Sequence, residues 1–252
     1  MNIIIIGATS GIGKELWKLY AKEDNHVAVL GRRRHLLEQM YQERANNTSI
    51  YEVDITYTEG ATQCIDKIFR ELQKIDLAIV CAGTGDVNTE LLFEKELGAI
   101  RTNVVGWTAA VDCIYNHFQQ QNKGHLVTIT SIGGLAGEPA APAYSATKAY
   151  QINYTQVLRK KSKKTGVCVT EVRPGLVDTD MAKGEGLFWV MPPEKVAKQI
   201  MRAIARKKSK VVVTKRWRII SFCSSTSNNT AVYPLMSDAK VASLIEYGKV
   251  KR

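Results

Sequence analysis

The first thirteen residues leave this chain few folds to choose from. Asn2-Ile-Ile-Ile-Ile6 is an apolar, β-branched run, the pattern of a strand buried on both faces. Gly7-Ala-Thr-Ser-Gly11-Ile-Gly13 follows without a gap, and Ile12, Leu16, Leu19 and Tyr20 then fall on one face of a helix. Strand, glycine turn and helix open a parallel sheet, and the same arrangement is the context in which a dinucleotide is bound. Gly7 permits the tight turn, and Gly11 lets backbone approach a pyrophosphate, whose charge suits a helix N-terminus. Gly13 lets the helix lie close on the sheet.

Six more strand-like runs follow, at His26–Leu30, Ser49–Val53, Asp76–Val80, Leu126–Thr130, Val167–Val172 and Lys210–Thr214. Helical patterns separate most of them. One helix carries Ala61, Cys64, Ile68 and Leu72 on a stripe; another carries Leu97, Ile100, Val104, Trp107, Val111, Ile114 and Phe118, read as core or helix interface. The alternation predicts an α/β fold, a Rossmann-like doubly wound parallel sheet in a single domain. We expect that domain over residues 1–214, with 215–252 as a C-terminal extension.

The second strand ends in Gly31-Arg32-Arg33-Arg34 and not in an acidic residue. A carboxylate there would bind the free 2′-hydroxyl of NAD; arginine can pair with the 2′-phosphate of NADP, Arg32 first and Arg33 second. Asp54 closes the third strand, where it can contact an adenine amino group or cap the next helix. Ala82-Gly83 after the fourth strand is small enough for a cofactor to lie against its backbone.

Tyr144 and Lys148 are four residues apart, one turn along one helix face. An ammonium beneath a phenol favours the phenolate and lowers its pKa from roughly 10 towards neutrality. Such a tyrosine can pass a proton to or from a reacting oxygen. Ser131 follows the fifth strand, where its hydroxyl can reach the same oxygen. Asn103 lies beside the apolar stripe of its helix, where an amide needs partners.

The net charge is +11, with basic residues in short runs such as Arg159-Lys-Lys-Ser-Lys-Lys164 and Arg206-Lys-Lys208. We read these as solvated faces and helix C-termini and expect no nucleic-acid partner. The five cysteines form no Cys-x-x-Cys pair and do not cluster with the four histidines, so neither a disulfide framework nor a metal site is expected. No signal-peptide pattern precedes the first strand and no apolar run is long enough to span a bilayer, so a cytoplasmic location is expected.

Gly7-x-x-x-Gly11-x-Gly13, Asn103, Ser131, Tyr144-x-x-x-Lys148, Pro174-Gly175 and Thr179 together resemble the short-chain dehydrogenase/reductase family over roughly residues 1–214. The glycine spacing is that of its short, single-domain members. The resemblance implies an NADP(H)-dependent oxidoreductase that interconverts a carbonyl and an alcohol, with NAD(H) as the lesser cofactor. It implies Tyr144 as general acid/base, Ser131 as the group that polarises the carbonyl, and Lys148 as the group that lowers the Tyr144 pKa and holds the nicotinamide ribose. Asn103 is implied to keep a bent helix and a proton-relay water in place. The implied cofactor contacts are Gly7, Thr9, Ser10, Gly11, Ile12, Gly13, Arg32, Arg33, Asp54, Ile55, Ala82, Gly83, Tyr144, Lys148, Pro174, Gly175, Val177 and Thr179.

Two positions depart from the family pattern. Cys81 stands where asparagine is usual, and Ser10 where NADP-dependent members often carry a basic residue. The segment after Thr179, with Met181, Gly184, Gly186, Leu187, Phe188, Trp189, Val190 and Met191, resembles the family's substrate lid and suggests an apolar small-molecule substrate. Long helices at Leu97–Phe118 and Tyr144–Lys164 imply a homodimer or homotetramer. The basic, aromatic Lys215–Phe222 could touch lipid headgroups, a peripheral membrane contact. The alternative from another class is a non-catalytic dinucleotide-binding sensor or scaffold, which has no need of a Tyr144–Lys148 pair.

Overall fold

The computed structural model describes residues 1–22, 24–179, 181 and 189–214. Seven strands form one parallel sheet: β1 (Asn2–Ile6), β2 (His26–Gly31), β3 (Thr48–Glu52), β4 (Leu77–Val80), β5 (Gly124–Ile129), β6 (Val167–Pro174) and β7 (Lys210–Val213). Their spatial order is β3-β2-β1-β4-β5-β6-β7. The chain therefore winds outward from β1 to β3, returns to β4, and winds outward the other way. The reversal lies between β1 and β4, and the crevice at the strand C-termini there is where such sheets bind ligands.

Successive side chains of a strand point to opposite faces, so the Ile3–Ile6 run feeds two cores at once. Ile3 and Ile5 pack with Val27, Val29, Leu16 and Trp17 of α1 (Gly11–Tyr20), and Val196 and Ile200 of α7 (Pro193–Ala205). Ile4 and Ile6 pack on the other face with Ile65 and Ile68 of α3 (Thr58–Leu72) and Trp107, Val111 and Phe118 of α5 (Trp107–Gln120). The long α6 (Pro142–Lys161) adds Leu158 to that second core. The remaining α-helices among the described residues are α2 (Arg34–Glu43) and α4 (Phe93–Ile100).

One expected stripe is broken. Leu97, Ile100 and Val104 do not continue the buried row of Trp107, Val111, Ile114 and Phe118; Ile100 is 37% exposed while those four are fully buried. A π-helical turn at Arg101–Gly106 separates α4 from α5. A π turn takes in an extra residue, so the two helices do not share one face. The basic run Arg159-Lys160-Lys161 ends α6, as a helix C-terminus favours. Arg159 is more than a solvated charge, because its Nη2 donates to the buried Glu171 at 3.1 Å. Among the described residues no helix is long and apolar enough to cross a membrane.

Candidate active site

The glycine turn and the segment after β4 meet at the reversal point. A Cβ on Gly7, whose φ is +85°, would fall 2.6 Å from the Ala82 nitrogen, and one on Gly13 would fall 2.2 Å from the Gly7 carbonyl oxygen. Only glycine lets these segments touch. Cys81 N–H donates to Ile6 O at 2.8 Å, so β1 and β4 are joined there through the main chain, whatever the side chain. Gly11, φ +52°, lies against the Thr179 methyl, so the two ends of the implied cofactor set come together.

The fit of this turn to a pyrophosphate rests on two features. Ser10 precedes α1 without capping it by its side chain, and the first turn of α1 holds no acidic residue. The first N–H groups of α1 are therefore available to an anion, with no carboxylate in that turn to repel it. Arg33 lies over the turn, donating from Nη2 to Thr9 Oγ1 at 2.8 Å and to Ser10 Oγ at 2.7 Å. Arg32 is turned instead towards Asp54, 3.7 Å away. Asp54 accepts from the Thr56 N–H and hydroxyl at 2.9 and 2.8 Å. Burial opposes ionisation of Asp54, but these bonds and Arg32 outweigh it and hold the carboxyl below its usual range. Asp54 thus braces its own loop and does not cap α3, whose N-cap is Tyr57. Ile12 is half-buried against the first core and Ile55 is buried in the second, where its carbonyl lies against Gly106. Gly83 sits beside Asn103 Oδ1 and Lys148 Nζ. Pro174 ends β6, Gly175 N–H donates to Val213 O, and Val177 is buried and bridges to Met191.

The chemistry-bearing side chains stand beside this turn. Ser131, just past β5, accepts from Gly133 N–H at 3.0 Å, and its hydroxyl and the Tyr144 ring both face Gly133. Tyr144 is boxed in: a Cβ on Gly85 would fall 2.3 Å from its ring, and one on Gly133 would fall 3.4 Å away. Lys148 Nζ is 5.8 Å from the centroid of that ring. It donates to Gln151 Oε1 at 2.9 Å and to Ile129 O at 3.3 Å.

The expected electrostatics need a correction. Burial pushes the Tyr144 phenol up, the Ser131 hydrogen bond pulls it partly back, and no lowering comes from Lys148. The lysine's donors are aimed at Gln151 and Ile129, and Lys148 is itself only 4% exposed. Burial, opposed weakly by Cys81, lowers its pKa to about 8. Burial also raises the Cys81 thiol to about 12.

Asn103, fully buried in the π-helical turn, spends its amide on other segments. Oδ1 accepts from Thr84 N–H at 2.8 Å, and Nδ2 donates to Thr84 O at 2.6 Å and Thr147 Oγ1 at 3.0 Å. Its main-chain carbonyl accepts from Gln151 Nε2 at 2.9 Å. Two further residues escaped the sequence reading. Glu96 accepts from Ala143 N–H at 2.8 Å, so α4 caps the N-terminus of the helix that carries Tyr144. Asn88 donates to the same carboxylate and ties the 84–92 loop to it. The Glu96–Ala143 bond has no local signature, because its partners lie forty-seven positions apart. In the expected lid, Met181 and Trp189 are 50% and 41% exposed and Met191 packs on the first core. Gly184, Gly186, Leu187 and Phe188, like residues 215–252, lie outside the described residues.

With this geometry in hand, comparisons place the chain among known proteins. The family described as short chain dehydrogenase matches residues 1–187. An uncharacterized oxidoreductase of Myxococcus xanthus is 31% identical over 183 residues, covering 71% of this chain and 72% of that protein. The closed form of serine dehydrogenase complexed with NADP+ superposes with a TM-score of 0.76 at 23% identity, covering 84% of this chain and 92% of that one. ElxO with NADP bound gives 0.75 at 23% identity, covering 84% and 96%. At this identity the two structures speak for the fold.

Proposed function

The chain belongs to the short-chain dehydrogenase family and is a nicotinamide-dependent oxidoreductase, and on that premise we propose that it interconverts an apolar carbonyl compound and its alcohol with Tyr144 as general acid/base, preferring NADP(H). The observation that carries the reading is the Ser131 hydroxyl and the Tyr144 ring brought together around Gly133, with Lys148 behind them, at the strand ends beside the glycine turn. A bound nicotinamide supplies or accepts the hydride. Ser131 orients and polarises the carbonyl oxygen, and Tyr144 delivers or takes the proton there. The cofactor's pyrophosphate is held at the N-terminus of α1, with Gly7, Gly11 and Gly13 giving it room.

The NADP preference rests on Arg33 over the Thr9–Ser10 turn and Arg32 beside Asp54, with no carboxylate at the end of β2 to repel a 2′-phosphate. NADP in the two structural neighbours supports the same reading. The apolar substrate rests on the composition of the segment after Thr179. Pairing of two chains through the outer sides of the π-helical turn and α6 is supported by Val105 and Val157, 50% and 45% exposed. The test is a panel of carbonyl compounds and alcohols of rising chain length, followed by NADPH absorbance. Oxidation of NADPH that rises with chain length is expected. No turnover across the panel, with NADPH bound, would favour a non-catalytic sensor.

A further inference from the structure

Gln151 is a fully buried amide one turn along α6 from Lys148, and it has two hydrogen-bond partners at its head. Oε1 accepts from Lys148 Nζ at 2.9 Å, and Nε2 donates to the Asn103 main-chain carbonyl at 2.9 Å. The amide has only one orientation in this place. Its oxygen cannot face a carbonyl, and its NH2 cannot face an ammonium. Asn103 is in turn fixed by Thr84 and Thr147, so an unbroken chain of bonds runs from the 84 loop through Asn103 and Gln151 to Lys148.

We propose that Gln151 is a positioning residue: it anchors Lys148 in its buried place behind Tyr144 and sets its readiness to give up a proton. The proposal rests on the reading of Lys148 given above. The other acceptor of Lys148 is the Ile129 carbonyl. The titratable groups facing it are the Cys81 thiol, from the segment after β4, and the Tyr144 phenol, from α6. No carboxylate pairs with Lys148 among the described residues. Neutral acceptors serve the ammonium and the amine alike, so the lysine can change its charge without losing its place. A carboxylate at 151 would hold the proton; an apolar side chain would leave the ammonium short of an acceptor. An amide also cannot readily hand a proton on as water does. The Gln151 link therefore holds Lys148 in position without draining its proton towards Asn103.

The test is a titration of Lys148 by NMR in protein labelled at the lysine side chains, with Lys148→Arg used to assign the signal. In the unmodified protein Lys148 is expected to titrate near pH 8. Gln151→Glu should weaken its acidity by about tenfold or more, and Gln151→Leu should strengthen it by a similar factor. Fluorescence titration with NADPH should show weaker binding in Gln151→Leu, by about fivefold or more, because the anchor of the lysine is lost. Thermal unfolding of each variant guards against reading a collapsed fold as an effect on the lysine. A Lys148 titration that is the same in all three proteins, each of them folded, overturns the proposal. The two readings fail separately. Turnover in the unmodified protein with an unmoved lysine removes only the role of Gln151; a lysine that follows residue 151 in a protein without turnover removes only the oxidoreductase reading.

Discussion

Two clusters of reactive side chains sit on opposite terms with this fold. Asp66 of α3 accepts from the Cys113 thiol at 3.3 Å and pairs with His117 Nε2 at 2.7 Å, both from α5. These are ligand and catalytic residue types gathered in one place. Yet Cys113 and His117 both turn their polar atoms to Asp66 Oδ1. Phe69 stacks on the His117 ring, with centroids 4.0 Å apart, and fixes its plane. Burial, and then Asp66, raise the Cys113 thiol to about 12, so it is a poor nucleophile near neutral pH. Ser131 and Lys148 have bonded partners too, but with Tyr144 they stand at the strand ends near the reversal of the winding, beside an uncapped helix N-terminus. Residue types alone do not separate the clusters. What separates them is whether the fold leaves a place for something else to bind.

The sharpest way to break that contrast is Tyr144→Phe, which keeps the ring and removes the proton. Turnover is expected to fall about a hundredfold or more, with NADPH affinity retained, measured by absorbance and fluorescence titration. Unchanged turnover would put both clusters on the same footing. Arg33→Ala should come next, eroding the preference for NADPH over NADH by ~1.5–3 kcal/mol, read as the ratio of the two dissociation constants; Arg32→Ala tells which arginine carries more of it. Glu96→Ala removes the acceptor at Ala143 and should cost about 1 kcal/mol in urea unfolding, along with part of the turnover. The smallest effect belongs to the α3–α5 cluster. Cys113→Ser should leave turnover within about twofold and cost under about 1 kcal/mol, since it weakens one exchangeable hydrogen bond. A large loss of turnover there would mean that the α3–α5 cluster is also a functional site.

The strands were legible because a sheet buried on both faces leaves a continuous apolar run in the sequence, and all seven lie within about two residues of their expected ends. The glycine turn was legible because Gly7 and Gly13 meet backbone that no side chain could meet. The site was legible where its spacing is local, as in Tyr144 and Lys148. It was illegible where a bond spans the fold. Gln151 reaches Asn103 across forty-eight positions and Glu96 reaches Ala143 across forty-seven, and no period in the sequence marks either. The Tyr144 phenol was misjudged for a related reason. Four-residue spacing gives the face of a helix, but not the acceptor at which a lysine on that face points its protons.

The π-helical turn at Arg101–Gly106 has a consequence for how this protein tolerates changes of length. Each α-helical residue advances the side chains by about 100° around the axis, so one extra residue works as a rotary offset between two rigid rods. Ahead of it α4 is clocked to bring Glu96 to α6; behind it α5 is clocked to drive Trp107 and Phe118 into the sheet. Removing a single residue between Arg101 and Gly106 would re-phase one rod against the other. A length change of one amino acid, harmless in a surface loop, would then act as a change of gear, and the side chains at both ends would be dealt to the wrong neighbours.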